Sequence, residues 1–487
     1  MEKRTTLNKS LKAHWVWAIA LGSAIGWGAF VQPVNWMETA GPLGVIIGFS
    51  IGALLMMLIA VSYGFLIRSF PVSGGEFAYS YISMGRTHAF ISGWFLTLGY
   101  ICIVALNASA FSLMIKFVFP SIIENIHLYS IAGWDVYLIE ILIATVGLVV
   151  FGYLNVRGTG ISGQTQFIFA LIMVIAVVIL TLLVGIKSPS PSTNIQPLFN
   201  QTTTTFAAII AIVAIAPWAF VGFDAVPQAA EEFDFPAKKA FMLIILALVF
   251  ATIIYALMIM ATAMAAPWDN VVNKNYLWGT GVVIQELLGV FGLAILVIAV
   301  SMGIFTGLNG FIMASSRLLF AMARAKILPT LFGKLHTKHK TPHIAIVFTV
   351  IISSSAPWFG REALVWVVDM SSIGVSIAYF YTCITAFKLF KWSEHEIKYS
   401  YEEVAPIKKI VAFAGMIVSL VFVFLLLIPS SPAFMGIESL IALFIWIFFG
   451  ILFYIFKRKD YNNITEEELN YLIIGNKFLN EKKNQKN

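Results

Sequence analysis

Charged residues are scarce in this chain. Asp, Glu, Lys and Arg make up 11% of its 487 residues, whereas hydrophobic residues make up 60%. Ordinary soluble domains carry about 25% charged residues, so this composition excludes a soluble globule. Apolar windows of roughly 20 residues, the length that crosses a bilayer, can be placed about twelve times. These predicted spans, numbered 1 to 12, lie near residues 13–33, 42–67, 89–115, 136–154, 161–186, 206–230, 240–266, 281–314, 343–358, 363–387, 410–429 and 433–456.

Several chemical signatures are absent. The only two cysteines, Cys102 and Cys383, both lie within predicted spans, which argues against a disulfide framework. There is no Walker A motif, so ATP-driven transport would need a separate subunit, and no HExxH or other catalytic constellation, so we expect no enzyme. We also expect no metal site and no cofactor, because His336, His339 and His343 lie in a basic loop without Cys or carboxylate residues.

Positive charge is confined to one side of the predicted membrane. Threading the twelve spans with the N-terminus in the cytoplasm leaves only four of the 31 Lys and Arg residues on the outer side, namely Lys116, Lys187, Lys274 and Arg361. This asymmetry predicts a multi-pass cell-membrane protein with both termini cytoplasmic. The net charge of +7 then needs no nucleic-acid partner, since anionic inner-leaflet lipids account for it.

Two spans are interrupted near their middle by glycine. Span 1 contains GSAIGWGAF (22–30) and span 6 contains FVGFDAVPQAAEE (220–232). A break at bilayer depth frees backbone groups that only a cavity, a ligand or other protein can satisfy. Breaks at corresponding positions of two halves indicate the central site of a secondary transporter. The sequence therefore predicts an all-α membrane protein of about 12 transmembrane helices with a five-plus-five inverted repeat and broken helices 1 and 6.

This repeat divides the chain into five segments. They are a cytoplasmic N-terminal segment at 1–12, a first five-helix repeat at 13–202, a second, inverted repeat at 203–392, helices 11 and 12 at 409–457, and a cytoplasmic C-terminal tail at 458–487.

The span 1 break is a candidate carboxylate site. Gly22, Gly26 and Gly28 permit backbone angles that a β-carbon resists and let a ligand approach the main chain. Freed N–H groups at the start of the outer half-helix suit an anion, and Ser23 adds a hydroxyl. Alternatively, these small residues only allow close helix packing.

The span 6 break adds an ionisable group. Asp224 follows Gly222 at membrane depth, where carboxylates usually have a function, so it is a candidate amine partner or proton carrier. Equally, it caps freed N–H groups without meeting substrate. Phe220 and Phe223 are candidates for an aromatic lid, whereas Trp218 is expected to be core packing.

Four segments together carry a resemblance to a known family. They are GSAIGWGAF, PVSGGEFAYSYI after span 2, GFDAVPQAAEE running into FPAKK, and SSRLLFAMARAKILP with a following TP. In this combination, over spans 1 to 10, the chain resembles the amino acid–polyamine–organocation permease superfamily, with bacterial amino acid permeases and cationic amino acid transporters as the nearest members.

The resemblance implies where a substrate binds. Its carboxylate would lie on the span 1 break and its amino group would meet span 6 carbonyls, with an aromatic lid. Carried onto this chain, the implied carboxylate site is Ser23, Ala24, Ile25 and Gly26, the implied amine site is Ala219, Phe220 and Gly222, and the lid is Phe220 or Phe223.

The chain departs from the family pattern at two places. Trp27 stands where relatives often have a small or polar residue, so it narrows the pocket or covers the substrate. Some proton-coupled members have a lysine in span 5, but Met173 lies near that position and no Lys or Arg occurs between Gly160 and Gly185. The lysine form of proton coupling is therefore not expected.

Other coupling and gating groups are available. Asp369 in span 10 is a second carboxylate at depth, either a proton carrier or a hydrogen-bonded structural group. Thr306 and Asn309 in span 8 are expected to face the span 1 break as polar or sodium ligands. Glu231 and Glu232 suggest an inner salt-bridge gate beside cytoplasmic cations. The cations considered for this gate are Arg68, Arg86, Lys238 and Lys239.

These features favour a secondary active transporter of amino acids working by alternating access. We expect proton-coupled symport of a zwitterionic amino acid, with H⁺ preferred over Na⁺ as coupling ion and the lipid bilayer and a small-molecule substrate as partners. The alternative is exchange of a cationic amino acid or polyamine, which Asp224 would favour by charge pairing. A nutrient sensor built on the same fold remains a third reading.

Overall fold

The structure is a computed structural model that describes residues 4–131, 134–274, 276–360, 362–392, 406–431 and 433–475. Arg361 and the last part of the predicted tail, 476–487, lie outside the described residues. The α-helices are Ala13–Ile25, Gly28–Val31, Pro33–Ser69, Gly75–Met84, Arg86–Val118, Pro120–Ile123, Leu138–Val156, Thr159–Lys187, Pro191–Asn194, Thr205–Ala214, Ala216–Ala219, Ala225–Gln228, Ala240–Ala265, Trp268–Val272, Gly279–Arg324, His343–Ser353, Glu362–Trp392, Pro406–Leu427, Ile437–Asn462 and Glu466–Ile474. Short 3₁₀ turns occupy Ala230–Glu232, Ala237–Lys239, Thr330–Gly333 and Ala356–Phe359.

Helices account for every predicted span. Nine described helices are long and apolar enough to cross a membrane. Three shorter apolar helical segments, Ala13–Ile25, Thr205–Ala214 and His343–Phe359, lie where spans 1, 6 and 9 are predicted. The prediction of an all-α multi-pass membrane protein is confirmed. Spans 1 and 6 fall in the shorter class because each helix is interrupted, as the glycine pattern predicts.

Two long helices bend at glycines in the left-handed region. Pro33–Ser69 bends at Gly41, whose φ is +71°, and Gly279–Arg324 bends at Gly289, whose φ is +66°. The first bend separates the outer half of span 1 from span 2. The second bend changes the bounds of predicted span 8, which was placed at 281–314. The residues before Gly289 form a separate outer helix. The helix after the bend continues to Arg324, and its last turns are buried.

The two described chain ends lie on the same side of the bundle. Arg4 donates from Nε to the Leu472 carbonyl at 3.0 Å, and the backbone N–H groups of Ser10 and Leu11 both donate to the Glu232 carbonyl at 2.9 Å. The segment before span 1 is thus a strap between the end of span 6 and the helix Glu466–Ile474. We call this end of the bundle the inner end, because the charge distribution predicts that it faces the cytoplasm.

A short β-hairpin at the outer end was not predicted. Strands His127–Ile131 (β1) and Trp134–Tyr137 (β2) pair antiparallel between spans 3 and 4. The hairpin is held by Lys116, which the sequence analysis assigned only to an outer loop. Its Nζ lies 2.9 Å from Glu140 Oε1 and over the rings of Trp134 and Tyr137 at 4.7 and 4.4 Å. Burial of this ammonium is offset by the carboxylate and the aromatic faces.

Candidate substrate site between the two broken helices

The span 1 break is centred on Gly26. The helix Ala13–Ile25 ends there because Gly26 adopts a φ of +51°, and the next helix starts at Gly28. Left-handed backbone angles are readily available only to glycine. A β-carbon added at Gly26 would meet only Asn107 Oδ1, at 3.7 Å, so the position faces open space.

The span 6 break runs from Phe220 to Asp224. Gly222 has a φ of +132°, and its N–H donates to Asp224 Oδ1 at 2.7 Å. Asp224 is fully buried, while its second carboxylate oxygen has no hydrogen-bond partner among the described residues. The carboxylate therefore satisfies one freed backbone group of the break, the structural role that the sequence analysis weighed evenly against a functional one.

The two breaks touch each other. A β-carbon on Gly222 would lie 2.6 Å from Ala24 N and from Ser23 C, so only glycine allows this approach. Tyr255, in span 7, bridges the breaks from the side: its hydroxyl lies 2.7 Å from the Ala219 carbonyl and 3.2 Å from the Ala24 carbonyl. Sequence reasoning missed Tyr255, although a hydroxyl within an apolar span is itself a signal.

A cavity of about 20 Å³ lies at this meeting point. It is lined by Ser23, Ala24, Ile25, Gly26, Trp27, Gly28, Ile103, Leu106, Asn107, Trp218, Val221 and Tyr255. Ser23 Oγ and Asn107 Oδ1 are buried and have no hydrogen-bond partner within the described ranges. Together with the Trp27 indole N–H, which also lines the cavity and has no partner among the described residues, they are the side-chain polar atoms available to a ligand beside the freed backbone. Asn107 was also missed; its signal is an amide in the middle of span 3.

Two tryptophans close this cavity. Trp27 and Trp218 pack edge to face with ring centroids 6.2 Å apart, and a β-carbon on Gly28 would lie 2.6 Å from the Trp218 ring. Trp27 also borders an outer vestibule of about 450 Å³ that includes Val31, Gln32 and Phe117. Trp27 thus separates the vestibule from the cavity. A substrate larger than one water molecule needs these rings to move apart.

The span 6 candidates divide between two places. Trp218, which was expected only to pack in the core, lines the cavity together with Val221, which was not a candidate, and Ala219 contributes its carbonyl to Tyr255. Phe220 instead packs against Phe49 and Tyr255, with ring centroids 6.1 and 5.6 Å apart. Phe223 stacks on Tyr379 at 5.4 Å, on the inner side. In this conformation the rings that cover the cavity are Trp27 and Trp218, and neither predicted lid residue lies over it.

Of the two span 8 candidates, only Thr306 reaches the span 1 break. Its hydroxyl donates to the Gly22 carbonyl at 3.0 Å. Asn309 instead joins a buried network with Asn155, Ser162 and Gln166, so the expectation that it faces the break is corrected. The physical reason is hydrogen bonding: the Asn309 amide is bonded to Asn155 at the end of span 4 and to Ser162 and Gln166 in span 5, so its polar atoms are already satisfied there.

Span 5 contacts the centre through an amide. Gln166 Nε2 lies 3.3 Å from the Ala18 carbonyl and 3.1 Å from the Thr306 carbonyl. Met173, the residue considered for the position of the family lysine, is buried within apolar packing. Gln166 is neutral and has no titratable proton, so its role here is to tie spans 1, 5 and 8 together as a hydrogen-bond donor.

Asp369 lies away from the centre. It is half-buried near the outer end, where its Oδ2 accepts from Ser439 Oγ at 2.6 Å, a contact between spans 10 and 12. The structure brings it to none of the other candidate residues.

The three loop histidines lie side by side, and His336 Nδ1 accepts backbone N–H groups of Lys338 and His339.

The inner end is closed by buried ion pairs. Glu231 contacts Arg324 at 2.9 Å and Arg4 at 3.2 Å, and Glu232 contacts Arg317 at 2.8 Å. Glu231 and Glu232 are the carboxylates predicted for this gate, but the predicted cations were wrong. Among the described residues, the ion pairs are made by Arg4, Arg317 and Arg324 and not by Arg68, Arg86, Lys238 or Lys239. Arg317 and Arg324 lie beyond the predicted end of span 8, and Arg4 lies in the N-terminal strap. The prediction considered only other cytoplasmic cations and therefore missed all three.

The bridge made by Tyr255 is testable. Tyr255→Phe should lower the free energy of unfolding by about 1–3 kcal/mol, because it leaves buried carbonyls without a donor, and should reduce substrate binding because the breaks lose their spacing. The measurement is denaturant unfolding and ligand-induced thermal shift in detergent. Tyr79→Phe is the matched control, since Tyr79 is equally buried and its hydroxyl has no partner among the described residues. Equal effects of the two changes would contradict the bridge.

Two interrupted helices that meet at a central cavity, with one end sealed and a vestibule at the other, define a membrane transporter. The amino acid permease family model matches residues 15–453, and the chain belongs to that family. It is 29% identical over 353 residues to the branched-chain amino acid permease of Bacillus subtilis, covering 70% of this chain and 73% of that protein.

Two other relatives widen the comparison. The methylthioribose transporter of Bacillus subtilis is 26% identical over 472 residues, 94% of this chain and 95% of the relative. Cationic amino acid transporter 4 of Mus musculus is 25% identical over 395 residues, 77% of this chain and 59% of the relative. Because these names cover different ligands, family membership alone does not select the substrate of this chain.

Proposed function

We propose that the protein is a secondary active transporter that moves a zwitterionic amino acid across the cell membrane by alternating access, coupled to protons. The observation that carries the proposal is the lining of the central cavity. It combines the freed backbone of span 1 and the unpartnered Ser23 and Asn107 oxygens with apolar and aromatic side chains, and none of the described residues that line it is charged.

Each end of an amino acid has a candidate partner in this arrangement. The carboxylate is proposed to bind the backbone at Ser23, Ala24, Ile25, Gly26 and Gly28, where helix N–H groups favour an anion. The amino group is proposed to meet the carbonyls of Ala219, Phe220 and Gly222. Trp27 and Trp218 then cover the side chain, while alternating access exchanges the outer vestibule for an opening at the inner ion pairs.

The alternative is exchange of a cationic amino acid or a polyamine. The similarity to cationic amino acid transporter 4 favours it, as does the unpartnered Asp224 Oδ2. It requires Asp224, which is outside the cavity lining, to turn toward the substrate. We therefore rank it second.

The proposed orientation has both termini in the cytoplasm. The two halves of the proposed five-plus-five inverted repeat provide the outward-open and inward-open states of alternating access.

The deciding experiment is uptake and counterflow in proteoliposomes with imposed proton and sodium gradients. The radiolabelled panel contains branched-chain, aromatic and cationic amino acids, a polyamine and methylthioribose. Saturable accumulation of a zwitterionic amino acid driven by a proton gradient supports the proposal. Counterflow of cationic substrates without gradient dependence supports the alternative. Ligand binding by thermal shift without counterflow of any compound contradicts transport and supports a sensor.

Asp224→Asn separates the two roles of that residue. The amide still accepts the Gly222 N–H, so we expect the protein to fold and counterflow to persist. If Asp224 carries a coupling proton, gradient-driven accumulation and its pH dependence are lost. The measurement is counterflow beside proton-driven uptake over a pH series. Unchanged uptake and pH dependence would confine Asp224 to a structural role.

A further inference from the structure

A second buried carboxylate lies on the inner side of the span 6 break. Glu76 belongs to the helix Gly75–Met84 and is fully buried. Tyr63 donates its hydroxyl to Glu76 Oε1 at 2.7 Å, and Gln228 Nε2 lies 2.5 Å from Glu76 Oε2. The function proposed above assigns no role to Glu76.

The approach of Glu76 to span 6 is built into the backbone. Gly74 and Gly75 have φ values of +97° and +39°, and a β-carbon on Gly75 would lie 2.7 Å from Gln228 Nε2 and 3.1 Å from Pro227 Cβ. Two adjacent glycines in left-handed angles thus let this turn press against span 6. The contact between Glu76 and Gln228 therefore depends on the close packing of the helix Gly75–Met84 against span 6.

No cation lies beside Glu76 in the part of the chain that the structure describes. Its described donors and charged neighbours include no Lys, Arg or His, whereas Glu231 and Glu232 at the same end each contact a guanidinium. Burying a carboxylate without a counter-charge has a large free-energy penalty when the group is an anion and a much smaller one when it is a neutral acid. Its surroundings therefore favour the protonated form in this closed-inner-end conformation.

Gln228 fits either protonation state. Its Oε1 has no partner within the described residues, and the two ends of an amide are exchangeable by rotation. Facing an ionised Glu76, the amide donates from Nε2. Facing a protonated Glu76, it accepts the carboxyl proton at Oε1.

Glu76 lies between the span 6 break and the ion pairs of Glu231 and Glu232 at the inner end, which we call the inner seal. Gln228 lies one helical turn after Asp224, so the two side chains are neighbours on span 6. On the other side, the N–H of Ser73 donates to Glu231 Oε2 at 3.3 Å, within the turn that carries Glu76. The other titratable groups within electrostatic reach of Glu76 are Asp224, Tyr63, Tyr79, Tyr100 and Tyr379.

We propose that Glu76 is a proton-binding site of the transport cycle. With the inner end closed, Glu76 holds a proton on Oε2, donated to the Gln228 amide. When the Glu231 ion pairs open, the Ser73 turn moves, water reaches Glu76, and the O–H bond breaks with the proton passing to inner water. Asp224, one turn away, is the carboxylate on the substrate side. This inference rests on the proton coupling proposed above.

The test uses Glu76→Gln in full-length protein in proteoliposomes loaded with a pH-sensitive dye. We expect counterflow to persist, while substrate-induced proton uptake into the vesicles and proton-driven accumulation are lost and the pH profile becomes flat. Glu76→Asp keeps a carboxylate and should retain proton uptake. Glu140→Gln is the control for loss of a buried glutamate at the outer end, and it should leave the number of protons per substrate unchanged.

A second readout does not depend on transport. Infrared difference spectra of the folded protein across a pH titration should contain a carboxylic acid C=O band that Glu76→Gln removes and Glu140→Gln retains. Wild-type proton uptake and pH profile in Glu76→Gln, or an unchanged carboxylic acid band, would overturn the inference. Substrate uptake by the wild type without proton movement would overturn both this inference and proton coupling, while leaving amino acid transport intact.

Discussion

A Gly26→Val protein is expected to insert and fold but to bind and transport no substrate. At a φ of +51° and a ψ of −144° the backbone lies in a region that is essentially reserved for glycine, so another side chain costs about 1–3 kcal/mol, and a β-branched one is disfavoured further. The new β-carbon itself has room, since its nearest neighbour is Asn107 Oδ1 at 3.7 Å. The valine methyl groups therefore enter the cavity where the substrate carboxylate is proposed to bind, and the fold survives.

The chain provides a matched control for backbone strain. Gly289 has a φ of +66°, and a β-carbon there would meet no atom within 4 Å. Gly289→Val should lower stability by a similar amount while leaving counterflow intact, because Gly289 lies at the bend of the outer helix, away from the cavity. The measurements are ligand-induced thermal shift and counterflow on both variants. Wild-type binding and uptake in a correctly inserted Gly26→Val protein would remove the central site proposal.

The breaks were predictable because glycine has a specific backbone consequence. Gly26 and Gly222 both have positive φ angles. Such an angle interrupts a helix whatever the rest of the fold is. That property is local, so a single span is enough to detect it. The break itself made Gly26, Gly28 and Ser23 candidates, whereas the full carboxylate site Ser23 to Gly26 was implied by the family resemblance; all of these residues line the observed cavity.

The cross-helix partners were not predictable in the same way. Tyr255, Asn107 and Gln166 are single polar residues in apolar spans, and sequence shows that each needs a partner but not which helix supplies it. Aromatic rings are still less informative, because lid and packing roles use the same side chains. Trp218 and Phe220 are two residues apart, and only the geometry of the break decides that Trp218 lines the cavity.

The inner seal shows how a helix end misplaced by a few turns hides a site. Span 8 was expected to stop at 314, but the helix runs to Arg324, so Arg317 lies inside the bundle with no exposed surface. Positive charge normally marks a loop in a membrane protein. Here two arginines are buried because span 6 ends in two glutamates that offset their charge.

Loss of Arg317 should be among the most destabilising single changes in this chain. Arg317→Met leaves Glu232, which is 2% exposed, as a buried anion without its partner, and breaking such a pair costs about 3–5 kcal/mol. Replacing both residues, as Arg317→Met with Glu232→Leu, removes the uncompensated charge and should recover most of the loss. The double variant nevertheless lacks one of the two ion pairs that join the end of span 6 to the span 8 helix, so its inner end should open more readily.

Unfolding in detergent micelles measures the first effect, and labelling of a cysteine introduced at Ser73, in a background without Cys102 and Cys383, measures the second. The partly exposed pair Lys326–Glu468, with side chains 32% and 25% exposed, is the control: Glu468→Gln should change stability by less than about 1 kcal/mol. A stable Arg317→Met protein would contradict the buried pair. A double variant with wild-type labelling would show that the seal depends on Glu231 and Arg324 alone, since their contact at 2.9 Å remains intact in it.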